Sequence, residues 1–210
     1  IGINLNLAPV ADLASDQNPS YAMRCLGSDA DGVADLLDDF VSGMREGGLS
    51  VTLKTFPGIG NVSADVTESI AENTDSLMTI RDTNFVPYAS GIQAGADCVM
   101  VSNAAYSKLT VKKVPAFMSQ DIVTKLLREE LGFDGIVMTS PLNDNVIENN
   151  YTNEFAVVEA VKAGCDLIVL PGNFKECYEA LITAVEEGRI DEKVINTSVR
   201  RILQNKIQRG

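Results

Sequence analysis

The chain has 210 residues, 45% of them hydrophobic, with 17 Lys and Arg against 29 Asp and Glu, no His, and a formal net charge of -12. That length and apolar share suffice for one domain over 1–210 with a sizeable core, and no linker or low-complexity tract divides it. The acidic balance disfavours nucleic acid and anionic membrane surfaces as partners, and no stretch reaches the roughly 18 apolar residues a membrane span needs.

Strand-like and helix-like signals alternate along the sequence. Short apolar runs bounded by Gly, Asp or Pro predict strands at 3–8, 50–54, 98–102, 136–139 and 167–170. Helical patterns fall between and after them, at 31–46, 84–94, 119–131, 154–163, 174–187 and 191–208. The third helix is expected to start on a Ser119 N-cap and stop at Gly132. Three helix-to-strand joints share one grammar, with Gly47-Gly48, Gly95 and Gly164 placed where a left-handed turn returns the chain to the sheet. Such alternation predicts parallel strands covered by helices.

Cys25, Cys98, Cys165 and Cys177 have no metal-like spacing, so no metal or cofactor is expected, and Cys98 and Cys165 read as buried thiols. The chain starts at Ile1 rather than Met and shows no signal peptide, which leaves its compartment open.

The segment Lys54-Thr55-Phe56-Pro57-Gly58-Ile59-Gly60, followed by Ala64-Asp65-Val66-Thr67, reads as a strand that ends in a sharply turned loop. It resembles the active-site loop of glycoside hydrolase family 3, in its β-N-acetylhexosaminidase branch, where the run is Lys-His-Phe-Pro-Gly-His-Gly and then Asp-Ser-His. Other segments agree in order. Asn4 to Asp12 is similar to the stretch ending Pro-Val-Leu-Asp, Met23-Arg24-Cys25-Leu26-Gly27 to Arg-Ser-Phe-Gly, and Met100-Val101-Ser102-Asn103 to Met-Val-Ser-His. Residues 131–139 resemble the approach to the nucleophile, and 163–171 the last strand. The resemblance implies an α/β fold of parallel β/α units that belong to a (β/α)8 barrel. A full barrel has eight strands and typically about 250 residues, whereas five units are legible here and the first three are not. An open sheet of this kind leaves two edges to be covered, by self-association or by an N-terminal segment.

The resemblance also implies where the chemistry should sit. Glycoside hydrolysis needs one carboxyl-type group to attack or activate water and another to protonate the leaving oxygen. Ser140 stands at the nucleophile position and Thr67 at the acid/base position, while Asp65 matches the Asp that assists the acid/base. Thr55, Ile59 and Asn103 occupy the positions of the family's other histidines. A serine needs a neighbouring base, most often His, before it attacks, and a threonine does not protonate a leaving group near neutral pH.

By the same resemblance, Arg24 and Lys54 hydrogen-bond sugar hydroxyls, Asn103 faces the pocket, and Asp12 lies in the loop that borders it. The residues leave alternatives open. In one, Arg24 and Lys54 pair with Asp12 or Asp65; in another, Asp144 and Glu68 are carboxylates that a loop rearrangement brings into the site. Phe56 is expected to pack under its loop, and Tyr106 to offer a sugar-stacking face, with Tyr21 and Tyr88 as further candidates. The expectation is a catalytically inactive, carbohydrate-binding domain, N-acetylglucosamine-containing saccharides being the candidate ligands. A structural or interaction module and an enzyme with displaced carboxylates stand as the alternatives.

Overall fold

The computed structural model describes residues 2–62 and 64–209. The elements are, in order, β1 (Leu5–Asn6), α1 (Pro19–Ala22), α2 (Ala30–Glu46), β2 (Ser50–Phe56), β3 (Glu72–Asn73), α3 (Leu77–Asp82), α4 (Phe85–Gln93), β4 (Cys98–Val101) and β5 (Ala105–Tyr106). After a 3-10 turn at Ala116–Met118 and a π-helix at Asp121–Glu130 come β6 (Ile136–Thr139), α5 (Asn145–Glu148), α6 (Asn153–Ala163), α7 (Phe174–Glu186) and α8 (Glu192–Arg209).

The main sheet is wholly parallel, in the order β1-β2-β4-β6. Successive side chains alternate between its two faces. Val51, Leu53, Val99, Val101 and Val137 face the helices and join the largest core cluster, with Leu37 and Val41 of α2 and Tyr88 of α4. Cys98, Met100, Ile136 and Met138 face the other way and pack with Leu5, Leu167, Val169 and Ile202 of α8. Thr52 and Lys54 share that inner face of β2 by the same alternation. The parallel, helix-covered sheet is what the alternation of elements predicts, and it is part of a (β/α)8-type barrel, as the resemblance implies.

The glycine joints take the expected form, since Gly48, Gly95 and Gly164 have φ of +80°, +97° and +111°. Side chains with a Cβ are strained there, so glycine ends α2, α4 and α6 cleanly.

Two expectations change. The run at 167–170 forms no ladder: Leu167 makes a single parallel bridge to Met138, and the Val169 amide donates to the Thr139 hydroxyl at 3.0 Å instead of to a strand carbonyl. Nor does the Ser119 side chain cap a helix. Ser119 closes the 3-10 turn in extended backbone, its carbonyl accepts from the amides of Ile122 and Val123, and the helix that follows winds wide, with Leu131 N donating to Leu126 O five residues back.

Among the described residues β1 pairs with β2 alone, and apolar side chains stay exposed beside both edges of the sheet, Ile3 and Leu7 at one and Leu170, Phe174 and Tyr178 at the other. Cys98, Cys165 and Cys177 are buried free thiols and Cys25 is half-buried. Burial pushes Cys98 up to about 12 and Cys25 up to about 11, so neither is a ready nucleophile.

Candidate functional site

Parallel β/α folds carry their sites at the carboxyl ends of the strands, where the connecting loops converge. Here the end of β2 and the loops after β1, β2, β4 and β6 supply Asp12, Thr55, Ile59, Asp65, Thr67, Glu68, Asn103, Ser140 and Asp144. A register irregularity between Lys54 and Phe56 lifts Thr55 out of the β2–β4 ladder. Its amide donates instead to Asp12 Oδ1 at 3.0 Å.

Asp12 is the hub of this end. It is fully buried and accepts five hydrogen bonds. Oδ1 takes the Thr55 amide and the Tyr88 hydroxyl (2.8 Å). Oδ2 takes the Tyr21 hydroxyl (2.9 Å), the Thr55 hydroxyl (2.9 Å) and the Ile59 amide (3.1 Å). Burial raises its pKa and these donors pull it back. Asp12 therefore holds the β1 and β2 loops and α4 together from beneath the pocket.

Tyr21 transmits that order outward. Its ring lies under the Arg24 guanidinium, whose central carbon is 5.1 Å from the ring centroid. Arg24, Tyr21, Asn18, Ile59, Asp65 and Thr67 are among the residues that line a cleft of about 360 Å3. Arg24 forms no ion pair among the described residues. Neither does Lys54, and that sets it apart: of the half-buried Lys and Arg side chains among the described residues, Arg45 pairs with Asp97 and both Arg128 and Arg201 with Asp166, and Lys54 alone has no carboxylate partner. Desolvation, and then the Arg24 charge, lower the Lys54 pKa against the opposing pull of Asp12. Arg24 and Lys54 are thus not paired with Asp12 or Asp65.

Ser140 and Thr67, which the resemblance sets at the nucleophile and acid/base positions, carry hydroxyls that are already engaged. Ser140 is buried and its Oγ donates to the Val101 carbonyl at 2.9 Å. The Thr67 amide and hydroxyl both donate to Asp65 Oδ1, at 2.9 and 2.7 Å, and the backbone bond, followed by the hydroxyl, holds the Asp65 carboxyl below its usual range.

The displaced carboxylates do gather. The Val146 amide donates to the Thr67 carbonyl (2.8 Å) and the Asn145 amide group to Glu68 Oε2 (2.9 Å), so the β6 loop is docked on the β2 loop. Asp144 accepts from Asn103 Nδ2 at 2.8 Å. Desolvation and the charges of Asp65 and Glu68 raise the Asp144 pKa, with the Asn103 bond opposing them. Asn103 is 1% exposed and its Oδ1 has no hydrogen-bond partner. Among the described residues no group of His, Cys, Asp or Glu is arranged to hold a metal ion.

The aromatic expectations divide. Phe56 packs as expected, edge-on to Tyr88 and stacked on Phe85. Tyr106 offers no stacking face, because it is fully buried with its hydroxyl on the Gly58 carbonyl at 3.0 Å. Sequence reading missed the Tyr21–Asp12–Tyr88 web and the Asn145–Glu68 bond. Two buried-capable phenols and a loop Asp were visible, but nothing local joins positions 12, 21 and 88.

Comparison with known proteins fits this geometry. The glycosyl hydrolase family 3 N-terminal domain matches residues 1–205. The chain belongs to glycosyl hydrolase family 3. A β-hexosaminidase of Xylella fastidiosa (strain M23) is 32% identical over 169 residues, which cover 80% of this chain and 50% of that protein. A solved family 3 β-N-acetylglucosaminidase from Paenibacillus sp. superposes with a TM-score of 0.95 at 35% identity, covering 99% of this chain and 40% of that one. A β-N-acetylhexosaminidase from Beutenbergia cavernae superposes at 0.89 with 33% identity, covering 98% and 63%. The chain spans about half the length of the curated relatives it matches. Family membership therefore accounts for the parallel β/α architecture and for the hexosaminidase-like loop order.

Proposed function

We propose that residues 1–210 are a single family 3 domain that binds N-acetylglucosamine-containing saccharides and has lost the family's hydrolysis. The observation that carries this is Lys54, a partly buried cation without a carboxylate partner among the described residues, within electrostatic reach of the unpaired Arg24. An uncompensated ammonium on an inner strand face costs stability, and a ligand rich in acceptor oxygens offsets that cost. Loss of hydrolysis follows from chemistry: Ser140 and Thr67 carry no carboxyl or imidazole, and their hydroxyls already donate within the protein. β-Hexosaminidase relatives set the expected ligand class.

The experiment is turnover of a chromogenic N-acetyl-β-glucosaminide, read beside saccharide-induced thermal shift. No turnover, with a shift that disappears in Arg24→Ala, is the expected result. A second reading is favoured by one observation: Asp65 and Asp144 lie within electrostatic reach of each other and are displaced in opposite directions, the pattern of a base and an acid that share a site. On that reading Asp144 holds the proton for the leaving oxygen and Asp65 or Glu68 activates water. Turnover by the unmodified chain that is abolished by Asp144→Asn or Glu68→Gln would establish it in place of the first. A third role, as a partial barrel whose open edges are closed by another copy or by a preceding β/α segment, is supported by the exposed apolar side chains beside β1 and along α7. Saccharide-independent self-association in sedimentation would favour that role.

A further inference from the structure

We infer that α7 of one copy of this chain docks on α8 of a second copy, through an apolar ridge that each helix leaves exposed. This goes beyond saccharide binding and sharpens the third role given above, closure by another copy, on which it rests. The two helices differ from α2 in what they turn to solvent. α2 presents Asp31, Asp35, Asp38 and Asp39 around a single exposed Leu36, as a solvated face does. α7 presents Phe174, Tyr178 and Ile182, which are 73%, 57% and 45% exposed, and α8 presents Val199, Leu203 and Ile207, at 46%, 52% and 82%. Each set is spaced i, i+4, i+8 and so forms one continuous line along its helix.

Both helices are held in place by other side chains. α7 sits on α6 through Cys177 and Ala184, buried in one cluster with Val157, Val158 and Val161. α8 is fixed to the strand starts by Ser198 and Arg201 on Asp166, by Asn205 on Asp97, and by Ile202 against the inner sheet face. The ridges are therefore preorganised, which lowers the cost of docking them.

Charge selects the occupant. In a chain of net charge -12, α8 is the basic exception, with Lys193, Arg200, Arg201, Lys206 and Arg209 against Glu192 alone. By helical spacing Arg200 flanks its ridge on one side and Lys206 on the other, and neither forms an ion pair among the described residues. The α7 ridge runs on into Glu186, which is also without an ion pair among the described residues, and lies beside Glu179, whose contact with Lys175 is 3.8 Å between exposed side chains. Packing α8 on α8 would set Arg200 and Lys206 against themselves, and α7 on α7 would do the same with Glu179 and Glu186. Packing α7 on α8 joins unlike charges around a shared apolar seam. The chain thus carries both halves of a complementary pair, and a second copy supplies the half that each lacks. Two ridges of i±4 spacing interdigitate at about -50°, with Phe174 and Tyr178, stacked on each other at 6.2 Å, as the aromatic anchors.

The test is sedimentation velocity of the full chain over a wide concentration range, beside Arg200→Glu with Lys206→Glu, Glu179→Lys with Glu186→Lys, and Leu203→Ser, with thermal melts to confirm that each variant folds. The wild type is expected to associate as concentration rises. Each variant should weaken that association about tenfold or more, added salt should weaken it too, and mixing the two charge-reversed variants should restore it, because the helices that meet are again unlike. A wild type that stays monomeric throughout overturns the inference and closure by a second copy together; it leaves saccharide binding standing and the ridges to a preceding β/α segment or another protein. Association that survives all three variants and is lost in Leu7→Lys overturns the inference in favour of the β1 edge. Weakening by reversal on α8 with no effect of reversal on α7 overturns the pairing of these two helices. Should a charge-reversed variant fail to fold, Tyr178→Ser and Leu203→Ser, each altered at one exposed side chain, carry the same comparison.

Discussion

The two ends of the parallel sheet handle charge in opposite ways. At the amino-terminal end every buried charge is answered. Asp166 accepts from Arg128 (2.6 Å), Arg201 (3.2 Å), Ser198 (2.7 Å) and the Val137 amide (2.9 Å). Asp97 takes Arg45 (3.2 Å), Asn205 (3.2 Å) and the Val51 amide (3.1 Å). These contacts tie α2, the π-helix and α8 to the strand starts. At the carboxyl end Arg24 and Lys54 have no ion pair, Asn103 Oδ1 has no partner, and Asp144 is crowded by Asp65 and Glu68. The first end is spent on stability, and the second keeps interactions that a ligand can complete. This is the division expected of barrel-type folds.

Breaking the stability end should produce the largest effect. Asp166→Ala strands two largely buried guanidinium groups and should cost about 3–5 kcal/mol, a fall in Tm of at least about 6 °C in a domain of this size. A loss under about 1 kcal/mol in chemical denaturation would mean that the network is dispensable, and the contrast between the two ends would fail.

Asp12→Ala tests whether the hub under the site is structural. It leaves two buried phenols, a hydroxyl and two amides without their acceptor, so a loss of about 2–4 kcal/mol is expected. Saccharide binding should weaken as well, because Tyr21 no longer fixes Arg24. Retained stability with lost binding would move Asp12 from scaffold to ligand contact.

Smaller effects are expected from the site residues, and with the opposite sign. Asp144 has a native pKa above its ordinary value of 3.8, so the folded state holds a proton more tightly than the unfolded chain does. Its contribution is present at low pH and is lost as pH rises from near 3.8 through the native value. Asp144→Asn should flatten that decline in a series of melts, while Asp65, shifted downward, should add a loss as pH falls through its own native pKa. An unchanged pH profile in Asp144→Asn would show that the carboxylates are too solvated to interact.

The smallest effect should come from Lys54→Met. Its native pKa is lowered, so the protonated form burdens the fold below that value and the burden lifts as pH rises toward the unfolded pKa. Because the side chain is half-solvated and its repulsion from Arg24 is screened, removing the charge should raise the Tm of the ligand-free protein by only about 1–2 °C. A fall in Tm would indicate an acceptor for Lys54 and remove the reason to expect a ligand there.

The order of elements, the parallel sheet and the left-handed glycine joints were legible in the sequence because they depend on local causes: apolar periodicity, strand-sized runs, and a backbone conformation that only glycine adopts without strain. The loop motif and the other resembling segments likewise pointed to Lys54, Asp65, Thr67, Arg24 and Ser140 at one end of the sheet, since strand order fixes which loops meet. The strand at 167–170 was overcalled, because an apolar run does not record that the Thr139 hydroxyl takes the place of a ladder carbonyl. What only the tertiary structure decided is pairing across long separations. That Asp12 is filled by residues 21, 55, 59 and 88, that Asn103 meets Asp144, and that Lys54 is left without a carboxylate are outcomes of which side chains reach which acceptors first, and no local pattern encodes that competition.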